Sequence, residues 1–508
     1  MTATITDKFK RELLDDLYTS FNHAFDSGVT ADSSDYYYIG IGRSEEWEDD
    51  ANPPAPTPSK ETVASFRSGL AGVKRVLDQS YVVPRRNWTA GSVYTPWSDK
   101  NHSDTTVGAL EDIAGPYYVI TEELNVYVCL AQGMTDDGVV RNSLYKPEEI
   151  SAQPFVAGPD GYVWRFLYNI GTYNSRRYLT SEWMPVEKIL DSSEGGPSSD
   201  ALSASRLGQA LIQLSAVPGE VLAIEVDSTG VGYTSAPTIT IHSGPDASPT
   251  ALAKAYGRID GNGRLFQVVM KDSEDGPYSF GAGYDDKTWV TVSGGGAGRG
   301  ASLRPVVHTE GGGLGEDPRL DLNSSSMMYS VRIIGDELQT MNIDNDFRQV
   351  GLIKNPLRDS DHPADSDFTD LRGSALKKIY VGSGIDADFT DLDNTVTGTS
   401  SGAKALLDYY RVYVDSDCCD PLLNTSHNVL YVHQTAETGF KQFTVGEAVE
   451  LNFNGGSANI IGHTDSDVPA MRPADVDPYS GEVLFVDNRL YIERDADQTE
   501  DVKIIIDF

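Results

Sequence analysis

Along most of this chain apolar residues recur at every second position, in short runs bounded by Gly, Pro, Asn and Asp, which is the pattern of half-buried strands. Residues 36–41, 117–120, 125–130, 162–170 and 329–334 read as strands on this basis. The signal is longest in the last thirty residues. There Val483, Phe485, Leu490 and Ile492 are predicted on one face, while Glu482, Asp487, Arg489 and Glu493 mark exposed positions and turns. Val502, Ile504, Ile506 and Phe508 then share a face, opposite Lys503 and Asp507. Full burial contributes ~1.5–3 kcal/mol per side chain of this kind, so this stretch is expected to close a sheet begun far earlier, in one core with residues 36–41 and 162–170.

Helical periodicity is confined to two places. Phe9, Leu13, Leu17, Phe21 and Phe25 predict a helix over residues 6–26, with Asp7 in the first turn and Gly28 beyond the last. A second is predicted after the proline-rich link 53–58, with Ser59 as N-cap and Val63, Phe66, Leu70, Val73 and Leu77 on one face. Gly69 and Gly72 weaken it by about 1 kcal/mol each relative to Ala. Either stripe packs on the chain's own sheet or docks on another subunit. With so few helix signals the fold class is all-β.

Two internal repeats follow. Residues 221–226, Gly230-Val231-Gly232-Tyr233 and residues 238–241 are echoed by 265–270, Gly281-Ala282-Gly283-Tyr284 and 290–292, and a further strand trails each copy, at 251–256 and 301–307. This unit is similar to a glycine-rich strand repeat of phage structural proteins, in which the glycines serve turns. The second repeat is Asp365-Ser366-Asp367-Phe368-Thr369-Asp370-Leu371 against Asp386-Ala387-Asp388-Phe389-Thr390-Asp391-Leu392. Alternate aspartates suit calcium, but neither copy has the sixth-position glycine or the distal glutamate of an EF-hand loop, and solvated turns or N-caps are expected instead. Strands continue from 396 to 461 as a second inserted β module.

Composition narrows the partners. Of 508 residues, 76 are Asp or Glu and 40 are Lys or Arg, a formal net charge of −36. Such a chain repels phosphate backbones and anionic lipid, so neither nucleic acid nor membrane is expected as a partner. Three cysteines, two of them the adjacent Cys418 and Cys419, make no disulfide framework, which fits a reducing compartment. The first residues carry no apolar signal core, and no run reaches the ~18 residues of a membrane span, so a soluble, non-secreted protein is expected.

Catalytic templates are missing. The sequence contains no Gly-x-Ser-x-Gly elbow, no P-loop and no His-Glu-x-x-His. The glycine run 294–300 is out of register for a dinucleotide loop and precedes an extended segment. Cys418, Cys419, His427 and His433 are the only soft-ligand cluster, and adjacent cysteines are poorly spaced to wrap zinc. His23, His102, His242, His308, His362 and His463 have no evident partners in sequence. No catalytic residue, cofactor or metal is therefore expected.

What remains is a set of local signatures. In order they are 39–47, with Arg43 and Trp47; 82–88, with Arg85, Arg86 and Trp88; 160–168, with Trp164; 347–357, with Arg348 and Asn355; and 480–500, with Arg489. Taken together they resemble the baseplate wedge subunit, gene product eight, of T-even-type contractile-tailed phages. The resemblance covers the start of the first helix, the stretch to about residue 185, residues 329–357 and the C-terminal strands. It implies a non-enzymatic virion component of the tail baseplate, assembled in the host cytoplasm. It further implies a layered β-sandwich homodimer that bridges other wedge proteins, those resembling gene products six, seven and ten. The expected partition is a core at 1–215, 318–381 and 469–508, interrupted by inserted β modules at 216–317 and 382–468. The arginines and tryptophans either fix turns and core within the chain or contact other subunits. An alternative is a receptor or glycan reader on the virion surface that uses the inserted modules, with Tyr233, Tyr284 and Trp289 stacking on sugars.

Overall fold

The computed structural model describes residues 5–22, 35–100, 116–189, 204–359, 366–382, 392–413, 427–451, 457–461 and 469–508. The fold is all-β, built from antiparallel sheets with few helices. Two compact units divide it. The first comprises Met1–Leu14, Ser80–Met328 and Ile505–Phe508, and the second Asp15–Gln79 and Tyr329–Ile504.

The second unit holds a five-stranded sheet in the order Arg372–Ser374, Leu70–Arg75, Tyr37–Gly42, Asp346–Lys354, Glu482–Glu493. Every residue of Tyr37–Gly42 is buried, as a central strand covered on both faces must be. Gly40 and Gly351 face each other across the central pair. A Cβ on Gly351 would lie 2.4 Å from the Phe66 ring, so the glycines clear a floor on which the helix Lys60–Ser68 sets its one buried aromatic. That helix begins where the sequence predicts, with Ser59 Oγ accepting from Thr62 N at 3.2 Å. It ends much earlier than predicted. Gly69 caps it, and Leu70 and Val73 are buried as members of a strand paired with Tyr37–Gly42, while Leu77 is exposed.

The first helix, Asp7–Asn22, also departs from its predicted stripe. Phe9 and Leu13 are 49% and 38% exposed, and Leu14 and Phe21 are the buried pair. The ring of Phe21 lies 5.8 Å from Tyr37 and 6.0 Å from Tyr329, so the aromatic end of the helix selects the inward face. Phe25 lies outside the described residues.

A seven-stranded sheet completes this unit, in the order Ser457–Asn459, Ala448–Leu451, Thr395–Gly398, Lys404–Tyr413, His427–His433, Lys377–Gly382, Met471–Arg472. Its core of Ile379, Val396, Leu407, Leu430, Val432 and Val449 is closed to solvent. Ala71, Leu376, Val429 and Tyr431 form a smaller cluster that joins it to the five-stranded sheet. The Asp-rich copy 386–391 and both Cys418 and Cys419 lie outside the described residues. Among the described residues no group of three His, Cys, Asp or Glu could hold a metal ion.

In the first unit, Tyr118–Ile120, Asn125–Ala131, Val163–Asn169 and Phe155–Val156 form a sheet. Tyr94, Tyr127, Cys129, Trp164 and Phe166 are buried in its core, and burial pushes the Cys129 thiol far above its ordinary pKa. The C-terminal strands thus divide. Glu482–Glu493 joins the sheet of Tyr37–Gly42 as expected, but Val163–Asn169 belongs to another sheet, and Thr499–Asp507 runs beside Ser326–Ile334 in a third. Val502 and Ile504 are buried, whereas Leu490 is 56% exposed and Phe508 lies at the surface. Within Glu482–Glu493 the alternation is interrupted by register shifts between Phe347 and Gln349 and between Leu352 and Ile353 in the partner strand, and a shifted register turns later side chains to the other face.

The glycine-rich repeat folds by exchange between its copies. The leading strand of the first copy, Glu220–Tyr233, pairs with the trailing strand of the second, Gly296–His308. The trailing segment of the first, Tyr256–Ile259, pairs with the leading strand of the second, Leu265–Val269. Thr238–His242 and Trp289–Ser293 pair antiparallel about Thr240 and Thr291, the arrangement of a local twofold axis. Gly219 and Gly263, before the two leading strands, have φ of +68° and +69°, and a Cβ on each would strike the backbone of the other copy's tyrosine, Tyr284 or Tyr233, at 2.4 or 2.5 Å. Both tyrosines are buried and are not available to stack on a sugar. Trp289 is exposed, with its ring 4.0 Å from that of His242.

Candidate functional site

Four of the singled-out residues converge in the second unit. The strand Tyr37–Gly42 runs into Arg43, whose φ of 59° is left-handed. A Cβ on Gly42 would sit 2.2 Å from Gly69 O, and this close approach lets Arg43 N donate to that oxygen at 2.8 Å. The turn brings the Arg43 guanidinium 3.8 Å over the Trp47 ring, a cation–π contact. Trp47 Nε1 donates to Arg489 O at 3.2 Å, and Arg489 Nε donates to Asp487 at 2.7 Å. Arg348, 3% exposed, donates to both oxygens of Asp50, to Asp346 at 2.5 Å and to Ser44 O. Its hydrogen bonds hold the Asp50 carboxyl below the usual carboxylate range.

Beneath this lies a buried relay that the sequence did not disclose. Ser44 Oγ donates to Asp408 Oδ1 at 2.9 Å. The imidazole of His433 lies between two carboxylates, with Nδ1 2.5 Å from Asp408 Oδ2 and Nε2 3.1 Å from Glu45 Oε1. Burial opposes charge on His433, but Asp408 and Glu45 outweigh it and raise its pKa well above the ordinary histidine value. Burial likewise opposes charge on Glu45, and His433 wins, drawing that carboxyl down to about 2. Asp408 escapes an alternation reading because the pairing register shifts between Leu407 and Tyr409, a bulge that turns an acid inward. His308, also without an evident partner in sequence, meets Asp321 at 3.0 Å beneath Trp97 in the first unit.

The remaining candidates are dispersed. Arg85 donates to Asn87 Oδ1 and to Thr180 O, both at 2.8 Å, and Arg86 O accepts from Ile120 N at 2.7 Å. Trp88 Nε1 donates to Ser143 Oγ at 3.2 Å, and its ring packs on the cluster that contains Trp164, itself fully buried 5.3 Å from Tyr94. Asn355, at φ 50°, accepts from Tyr36 N and donates to Asp35, each at 2.7 Å, so it ties off the end of the central strand pair. A buried Arg165–Glu220 pair at 2.6 Å fastens the repeat to the first-unit sheet; it too went unpredicted, since its members are 55 residues apart.

Among the described residues of this all-β chain, Arg165, Arg348 and His433 are each paired with an acid from another segment, which ties turns and strands distant in sequence to one another. No protein-family model matches the chain. Baseplate wedge protein gp8 of Enterobacteria phage T4 is 26% identical over 208 residues, covering 36% of this chain and 60% of that protein. The chain thus spans less than two thirds of the length of the curated relative it matches. This distant, partial similarity supports a structural role of the phage-baseplate kind, points away from enzymatic activity and suggests a location in the virion tail. No described helix is long and apolar enough to cross a membrane.

Proposed function

We propose that this protein is a non-enzymatic component of a contractile-tail baseplate wedge, assembled in the host cytoplasm, which forms a homodimer and bridges neighbouring wedge proteins resembling gene products six, seven and ten. The observation that carries the reading is the 26% identity to the phage T4 wedge protein. The convergence of Arg43, Trp47, Arg348 and Arg489 supports it, because a turn locked by cation–π, bidentate and backbone contacts keeps one shape under load. In this reading the segments 216–317 and 382–468 are additions to the wedge core. Light scattering on the purified full chain, followed by mixing with the other wedge proteins of the same phage, tests it. A dimer that co-elutes with at least one of them is expected; a monomer that ignores them all overturns the proposal.

A further inference from the structure

A cleft of about 390 Å³ opens in the first unit between the repeat and the sheet of Val163–Asn169, within the size range of small-ligand sites. One wall is loop backbone around Gly133 and Gly158; the other carries Tyr256, Lys271, Glu274 and Tyr278. The walls are tied at one end. Gln267 Nε2 donates to Gln132 O at 3.0 Å, and Arg258 bridges Gln267 Oε1 and Asp136 at 2.8 Å each. Asp160, also at the cleft, is consumed by the backbone amides of Leu144, Tyr145 and Tyr162. Two cations are left over. The Arg141 guanidinium donates only to Pro159 O, at 3.1 Å, among the described residues, and Lys271 Nζ lies 4.8 Å over the Tyr278 ring. Among the described residues neither forms an ion pair, in a chain with 76 acids and 40 basic side chains.

We propose that this cleft binds a carboxylated saccharide, which adds a surface-recognition function to the structural one. The guanidinium of Arg141 suits a carboxylate and Lys271 adds a second charge. The Tyr256 ring offers an apolar face to a pyranose, and Glu274, which accepts from Tyr256 Oη at 3.5 Å, is placed to accept from sugar hydroxyls. The aromatic wall favours a sugar over a bare anion, and the unpaired cations favour an acidic sugar over a neutral one. The stacking residues therefore differ from Tyr233 and Tyr284, which the fold buries.

Calorimetric and saturation-transfer NMR titration of the full chain with trigalacturonate and sialyllactose, against lactose, tests this. An acidic probe should bind where lactose does not. Arg141→Gln, Lys271→Gln and Tyr256→Ala should each weaken it about tenfold or more, the scale of one lost charge-assisted hydrogen bond or stacking contact. Lys254→Gln, whose lysine pairs with Asp272, should leave binding unchanged, and hydrogen exchange reports whether each variant is folded. Absence of binding by both acidic probes overturns the proposal. So does equal binding of lactose, inorganic phosphate or tetraglutamate, or affinity indifferent to all three cleft substitutions. None of these outcomes bears on whether the chain joins wedge proteins.

Discussion

Replacing His433 by Gln should cost about 3 kcal/mol at pH 6, the lower end of the ~3–5 kcal/mol for breaking a buried ion pair. The lower end applies because Asp408, buried with Ser44 Oγ at 2.9 Å, keeps one hydrogen bond. The effect has a pH signature. In the folded chain His433 titrates above the ~6.5 of an unfolded histidine, so below pH ~6.5 both states carry the proton and the contribution is complete. Above that point only the folded state keeps the proton, and stability declines by about 1.4 kcal/mol per pH unit until the folded pKa is reached. Glu45 has the opposite sign: its contribution is constant above ~4.3 and fades only as pH falls toward its folded pKa of about 2. The interval from pH 6.5 to 9 therefore isolates the histidine. Hydrogen exchange of peptides covering Lys404–Tyr413 and His427–His433, measured across that interval, should show protection falling in the wild type and a flatter profile in His433→Gln, so that the two converge. Parallel profiles, or a cost under about 1 kcal/mol at pH 6, would refute a charged imidazole between two carboxylates.

Arg348→Met should destabilise the second unit by about 3–5 kcal/mol and Arg348→Lys by less, because lysine keeps the charge without the bidentate geometry; thermal unfolding gives the order. Gly42→Ala should cost more than the ~1–3 kcal/mol typical of overpacking, since its Cβ would meet a carbonyl oxygen, while Gly382→Ala, with nothing within 4 Å, should be neutral or stabilise by ~0.4–1 kcal/mol. Equal melting temperatures for those two variants would contradict the packing described. Truncation of residues 502–508 removes the buried Val502 and Ile504, about 1.5–3 kcal/mol each. It should leave little soluble folded protein, whereas deletion of Phe508 alone should be tolerated; a cooperative melt from the longer truncation would show the strand to be dispensable.

The strand positions were legible because burial on one face, or on both, writes a local pattern. Residues 36–41 and 125–130 were located to within a residue or two of Tyr37–Gly42 and Asn125–Ala131. The end of the second helix was not legible, since Leu70 and Val73 fit a helical stripe and a strand equally well and only the pairing partner decides between them. In the first helix the ambiguity is one of face, since Leu13 and Leu14 are adjacent apolar positions and only Leu14 is buried. The charged relay was hidden for a different reason. Glu45, Asp408 and His433 come from three distant segments, and Asp408 is turned inward by a bulge. Arg43, Trp47, Arg348 and Arg489 stood out as ordered signatures, but their meeting around one turn required the pairing of Asp346–Lys354 with Glu482–Glu493.

The reciprocal bracing of the glycine repeats bears on how such a segment could arise and be lost. Because Gly219 seats the second copy's tyrosine and Gly263 the first copy's, neither copy is a self-sufficient folding unit. A lone ancestral copy would have had to complete its sheet with the strand of another molecule, as a swapped dimer, and duplication within one gene would have turned that association into a single chain. A longer connection within a copy is tolerable, as residues 271–279 of the second copy illustrate, but excision of one copy strands the other. The segment is expected to be gained or discarded whole.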